Sequence, residues 1–274
     1  MKGPQSQENR KNPYYPAFDL LLAKFLAVDQ ALNVAEAAFG YATESPDAWL
    51  GQISDKPLSH MLADICDDRN PGYVKLIPSV RVPDRETELL LRTVRDFRTQ
   101  SYLWVIARGF EAFREFVQSV EAELRDSVGV SAGYGRKPIT DTAHHRESRF
   151  TQALKRIREA APPLVACEKS NARKIQLQQW VAVAEAVRNA VAHNEGILRK
   201  ADYERYCSSG LEEHFPGELE EDTGYVLKPT PESTAKTIRT FREYGVAVYK
   251  AISEAHGFPA ALLGPDGEIT TWRR

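Results

Sequence analysis

At 274 residues, with 42% hydrophobic and 27% charged residues, the chain is long enough to bury a full core and has the composition of an ordinary globular protein. No apolar run approaches the ~20 residues of a membrane span, and a net charge of −2 excludes a general polyanion binder. Three widely spaced cysteines (Cys66, Cys167, Cys207) with no Cys-x-x-Cys argue against a disulfide frame or a zinc site, and the polar start Met1 to Lys11 lacks the apolar core of a signal peptide, so the expected compartment is the cytoplasm.

Helical periodicity dominates. Pro16 opens a helix to about Ala42, with Phe18, Leu21, Leu22, Phe25, Leu32 and Phe39 at helical spacing. Residues 43–83 are rich in Pro and Gly and read as an irregular excursion, with one short helix near 57–67 and a strand at Tyr73–Ile77. Asp84 caps the next helix, which meets no breaker until about Asp126. Leu90, Val94, Phe97, Leu103, Ile106, Phe110, Phe113, Val117, Val120 and Leu124 form its buried stripe, the aromatics along 97–116 belong to the core, and Gly109 is where a kink would fall. Residues 127–145, with Gly129, Gly133 and Gly135, read as a loop.

A helix follows from about Glu147 to Ala160, ended by Pro162-Pro163. Another is expected from Ser170 or Asn171 as cap to Gly196 as C-terminal stop. Residues 197–230 read as irregular, with a short strand at Gly224–Lys228. Pro231 and Glu232 open the last helix, to about His256, with Ile238, Phe241, Gly245, Val248 and Ile252 on its buried side; a turn comes next at Gly264-Pro265-Asp266-Gly267. The fold expected is all-α, a helical bundle with long loops and a short strand pair. A polar tail (1–15) precedes one helical domain (16–257), and 258–274 is a C-terminal tail.

Charge is unevenly spread. Arg136 to Lys174 holds ten Lys/Arg against four Asp/Glu, whereas Asp202 to Asp222 holds eight acids against Arg205 alone. The first segment could meet a phosphate backbone; the second would repel one. Between them lies Val187-Arg188-Asn189-Ala190-Val191-Ala192-His193-Asn194-Glu195-Gly196. A histidine can move a proton near neutral pH, and an arginine can hold a phosphate without losing its charge. With Arg188 at 0° on a helical wheel, Leu177, Trp180, Ala184, Val187 and Val191 fall near 260–340° and face a core. Glu185, Asn189 and His193 fall near 60°, 100° and 140°, an i, i+4, i+8 ladder on the polar side, and the small Ala192 near 40° leaves open space above it. These are minimum parts for cutting RNA without a metal.

Arg188-Asn189-x-x-x-His193-Asn194-x-Gly196 resembles the signature of the HEPN superfamily, small all-helical domains of prokaryotic toxins, phage-defence proteins and CRISPR ribonucleases. Downstream, Ile197-Leu198, the Tyr203-x-x-Tyr206 turn, the apolar Tyr225-Val226-Leu227 and the final amphipathic helix are similar to the segments C-terminal to the motif in many stand-alone members. Upstream, Ser101 to Phe116 with Glu111 resembles the long helix that packs on the motif helix. Coverage is about residues 86–257; the excursion at 43–83 and the acidic insertion at 211–222 have no counterpart.

The resemblance implies a metal-independent endoribonuclease with no cofactor. The substrate's 2′-OH attacks the neighbouring phosphate, leaving a 2′,3′-cyclic phosphate and a 5′-OH. His193 would exchange protons as general base or acid, Arg188 would stabilise charge on the phosphoryl oxygens, and Asn189 would orient His193 or bind a phosphate. Glu185 and Glu111 are candidates for tuning His193, and Asn194 is a further supporting residue. Members commonly dimerise so that two motifs share a cleft, which implies a homodimer. A toxin or phage-defence role brings the expectation of an antitoxin or other regulatory partner. Members that have lost catalysis bind RNA or proteins only, which keeps a non-catalytic binding module as the alternative. The lack of a broad basic surface favours a selective target such as a tRNA loop, whose unstacked bases can be gripped by aromatic side chains.

Other constellations are weaker. Tyr134, Arg136 and Lys137 on the Gly-rich loop are candidates for touching RNA, but that loop lacks the spacing of a phosphate-binding loop. His144 and His145 point apart on a loop and Asp141 alone does not complete a ligand set, so no metal is expected.

Overall fold

The computed structural model describes residues 12–45, 60–63, 73–76, 87–127, 148–263 and 269–271. The helices are α1 (Tyr15–Glu44), α2 (Thr87–Ser127), α3 (Arg149–Ala160), α4 (Pro162–Lys169), α5 (Leu177–His193), α6 (Lys200–Tyr206), α7 (Leu211–His214) and α8 (Pro231–Ala255). The strands are β1 (His60–Ala63), β2 (Tyr73–Leu76), β3 (Ile197–Leu198), β4 (Gly217–Glu220), β5 (Gly224–Leu227), β6 (Ala261–Leu263) and β7 (Ile269–Thr271). Helix dominates, as the periodicity predicts, and no described helix is long and apolar enough to cross a membrane.

Two compact units divide the chain: Ala31–Tyr102, and Met1–Gln30 with Leu103–Arg274. In the smaller unit β1 pairs antiparallel with β2, His60 opposite Leu76 and Ala63 opposite Tyr73. The strand expected at 73–77 is present, but the helix expected near 57–67 is not, because His60–Ala63 commits its backbone groups to the β2 ladder. Arg98 bridges to Glu36 (Nη2 to Oε2, 2.6 Å), and the Tyr102 hydroxyl donates to the same carboxylate. Burial, helped by Glu36, pushes that hydroxyl up to about 12.

The core of the larger unit forms where α2, α3, α5 and α8 bring rings together. Phe113 stacks on Tyr244 at 5.1 Å, Phe110 meets Phe150 at 5.2 Å, and Trp180 meets Phe241 at 4.7 Å. Each ring buried this fully contributes roughly 1.5–3 kcal/mol. α2 runs unbroken through Gly109, where the missing side chain instead admits Ile238 and Phe241 of α8. Under this core Arg158 donates through Nε to both oxygens of Glu168 (2.8 and 2.9 Å) and through Nη2 to Tyr244 (3.2 Å), tying α3, α4 and α8 together. Burial pushes the Tyr244 hydroxyl far above its ordinary range.

Several expectations are corrected by the fold. Pro162 and Pro163 come after the end of α3 but also open α4, since a first turn loses nothing when an N–H is missing. The helix expected from Ser170 or Asn171 starts at Leu177. Asn171 folds the intervening segment into a loop: its Oδ1 accepts from the N–H groups of Arg173 and Ile175 (both 3.2 Å), its Nδ2 donates to the Ile175 carbonyl (2.6 Å), and Lys174 sits at φ 56°. The stretch 197–230, read as irregular apart from a strand at Gly224–Lys228, holds that strand as β5 and also α6, α7, β3 and β4, the strands forming a three-stranded antiparallel sheet in the order β3-β5-β4. The acidic insertion is thus α7 and β4. Of the side chains expected in the core, Phe97 is 68% exposed, Trp104 is 62% exposed and Leu22 also faces solvent. Asp84, the Gly-rich loop with Tyr134, Arg136 and Lys137, the Asp141–His145 group and the 264–267 turn lie outside the described residues, although β6 and β7 pair antiparallel on either side of that turn.

Candidate functional site

α5 carries the motif. Its apolar stripe is buried as expected at Leu177, Trp180, Ala184 and Val187, with Val191 half-buried. The helix stops in a defined way. Asn194 is the C-cap, its N–H donating to the Ala190 carbonyl (2.8 Å), and its Nδ2 donates forward to the Ile197 carbonyl (2.6 Å). Glu195 and Gly196 come next in the left-handed region, at φ 52° and 85°. The Gly196 N–H returns to the Ala190 carbonyl (3.1 Å), satisfying groups that a helix end leaves open. The Gly196 carbonyl then accepts from the N–H of Leu227 (3.0 Å), and Ile197 and Leu198 pair with β5. The sheet, of which sequence reasoning finds only the β5 strand, therefore anchors the chain just past the motif. Asn194 acts in the cap, where its Nδ2 is engaged.

Arg188 is half-buried and its guanidinium is held on two sides. Nη1 donates to Oδ1 of Asn189 (2.9 Å), and Nε pairs with Oε1 of Glu111 on α2. That second contact is a close charge pair rather than a well-directed hydrogen bond, since Oε1 has no partner in hydrogen-bond geometry. The other oxygen of Glu111 pairs with Arg114, one turn on along α2. Glu111 is thus brought to Arg188 and not to His193. Glu185 accepts from the Thr151 hydroxyl of α3 (3.3 Å), two turns of helix from His193, so it too is engaged elsewhere. Asn189 is exposed one turn before His193, and His193, the last residue of α5, is exposed with no hydrogen-bond partner among the described residues.

Two contacts fix how α2 runs past α5. Glu111 meets Arg188, and Leu103 lies against Gly196, where an added Cβ would sit 2.7 Å from Leu103 Cδ1. Numbers fall along α2 as they rise along α5, so the helices are antiparallel. His193 comes level with the turn of α2 that holds Trp104 and Arg108, both exposed. Leu103, Ile106, Val187 and Leu227, with Phe215 and two prolines, line a small apolar pocket at the junction of α2, α5 and β5. The result is an open strip with a cation at one end, an amide in the middle and an imidazole at the other, bordered by α2. Arg114, Trp104 and Arg108 are the members that periodicity missed; the signal for Trp104 was its wheel position, about 180° from Phe113.

No family model matches the chain, and neither a curated protein nor a solved structure is similar to it at a significant level.

Proposed function

We propose that this protein is a metal-independent endoribonuclease of the HEPN type, acting in the cytoplasm as a toxin or phage-defence effector. The observation that carries the reading is the pairing of a fixed guanidinium with a free imidazole on one polar strip. Arg188 is held by Glu111 and Asn189, and His193 is exposed about 7.5 Å further along the same helix. The substrate's 2′-OH attacks phosphorus and its proton passes to an imidazole; the P–O5′ bond breaks and O5′ takes a proton, leaving a 2′,3′-cyclic phosphate and a 5′-OH. Arg188 would offset the charge that grows on the non-bridging oxygens. One histidine is poorly suited to both proton transfers at once, and a single strip is open on one side. A homodimer that faces two strips across one strand supplies the second imidazole and the second wall. An unpaired segment of RNA, such as a tRNA loop, is the substrate class, and an antitoxin or regulator that covers the strip is the expected partner.

The test is cleavage of RNA by purified protein in excess EDTA, with products analysed for 2′,3′-cyclic phosphate ends. His193→Ala is expected to reduce the rate by 10²-fold or more while the melting temperature stays near wild type, because the ring is exposed. Undiminished cleavage by that variant removes His193 from the mechanism. Growth arrest on expression, relieved by Arg188→Ala or His193→Ala, checks the biological role. The counter-charge on Arg188 favours a second reading, a non-catalytic helical module that binds RNA or a protein. It predicts a complex that survives His193→Ala and no cleavage with any RNA.

A further inference from the structure

The rim of α2 beside the strip carries two side chains that the core does not use. Trp104 leaves 62% of its surface in water, and Arg108, one turn on, is exposed and makes no ion pair with any described residue. On the helical wheel Trp104 lies about 20° from Glu111 and 40° from Arg108, so the three share one stripe. Glu111 reaches across from that stripe to Arg188, and the Leu103–Gly196 contact sets the level at which α2 passes the end of α5, so the stripe runs alongside the strip from the level of Arg188 to that of His193. Ala192, small and exposed, keeps the space between them clear. The acids on the stripe are spent: Glu111 on Arg188 and Arg114, Glu115 on Lys24. What stays open is one indole and one positive charge, about 10 Å of helix from Glu111 to Trp104.

We propose that Trp104 and Arg108 form a nucleotide subsite for single-stranded RNA. The indole stacks on an unpaired base flanking the scissile phosphate, and the guanidinium of Arg108 holds a neighbouring phosphate. An indole face accepts any base, and a base can reach it only when it is out of a duplex, so the pair selects unpaired RNA without reading sequence. The identity of the ligand rests on the ribonuclease reading; the subsite itself rests on the α2 stripe.

The experiment measures binding apart from chemistry. The probe is a labelled 2′-O-methyl octanucleotide of mixed sequence, which lacks the free 2′-OH needed for cleavage, monitored by fluorescence anisotropy. Trp104→Ala is expected to weaken binding roughly tenfold or more, the effect of one base–aromatic stack, and Trp104→Phe to retain most of it. Arg108→Gln is expected to weaken binding and to lower the salt slope by about one. On cleavable RNA, Trp104→Ala is expected to raise KM with kcat little changed. Equal affinity of wild type and Trp104→Ala overturns the subsite, as does failure of the wild type to bind the probe. A shift of Trp104→Ala from dimer to monomer in sedimentation also overturns it, since the indole is then a contact between copies. If wild type cuts RNA while Trp104→Ala binds normally, only the subsite fails. If binding depends on Trp104 but no cleavage occurs, the subsite stands and the nuclease reading falls.

Discussion

Glu111 is the joint between the two helices of the strip, and Glu111→Gln isolates what that joint does. The glutamine keeps the shape and removes the charge, leaving Arg188 and Arg114 facing a neutral amide. An exposed ion pair contributes about 0–1 kcal/mol, while breaking a buried one costs about 3–5 kcal/mol. The side chains of Glu111 and Arg188 are each 22% exposed, between those limits and nearer the second. Screening by the remaining solvent brings the expected loss to about 2 kcal/mol, and for a chain of this size that lowers the melting temperature by about 4–8 °C. Thermal melts of wild type, Glu111→Gln, Arg188→Gln and the double variant give the coupling directly. It is expected to exceed about 1 kcal/mol, whereas additivity within about 0.5 kcal/mol would refute the pair. The functional arm has a sign of its own. Arg188 without its counter-charge attracts RNA more strongly, so affinity rises, but a guanidinium no longer fixed in place stabilises the transition state less well, so turnover falls by about tenfold. Wild-type melting with wild-type turnover would show that Glu111 holds nothing.

Two further outcomes are expected from the frame around the strip. Gly196→Ala places a side chain at φ 85° and pushes a Cβ against Leu103. A loss of about 1–3 kcal/mol is expected in urea denaturation, with cleavage reduced because the end of α5 shifts; an unchanged urea midpoint would mean the cap tolerates the change. His214 on α7 is buried edge-on to Trp180 at 6.3 Å, and burial pushes its imidazole below the ordinary range, partly opposed by Glu213. Between that lowered value and about 6.5 the unfolded chain binds the proton and the folded one does not. Its contribution is therefore full above about 6.5 and declines as pH falls through the window. Urea midpoints between pH 8 and 5 are expected to fall less steeply in His214→Gln than in wild type, and equal slopes would remove His214 as a cause.

What the sequence makes legible depends on how far each signal reaches. The long helices are readable because Phe18, Leu21 and Phe25, or Ile238, Phe241, Val248 and Ile252, repeat an apolar side over many turns, and every one of these is buried. β4 has no such signal. Its Gly-Glu-Leu-Glu is largely exposed and becomes a strand only by pairing with β5, Glu218 opposite Val226 and Leu219 opposite Tyr225. β1 is likewise made by its partner, which four residues of sequence cannot announce. The Asn171 loop is a different failure. Its cause is local, one side-chain amide satisfying four backbone groups, but Ser-Asn-Ala-Arg-Lys is also a good helix start, and composition cannot choose between the two.

The strip divides the same way. The order Arg188, Asn189 and His193 along the helix comes from helical spacing alone, whereas the helix expected to stop at Gly196 ends at His193 with Asn194 as its cap. The partner of Arg188 does not come from spacing, because Glu111 sits on another helix far along the chain. Treating the aromatics of α2 as core succeeds for Phe110, Phe113 and Phe116 and fails at Phe97 and Trp104, whose angles set them on the opposite side of the helix. This division has a physical consequence. Arg188 is positioned partly from outside its own helix, by a carboxylate that α2 presents to it, whereas His193 sits on the last turn of α5 beside its cap. Substitutions at Glu111 that leave the motif intact should therefore act on the Arg188 end of the strip, and substitutions at the Asn194–Gly196 cap should act on the His193 end.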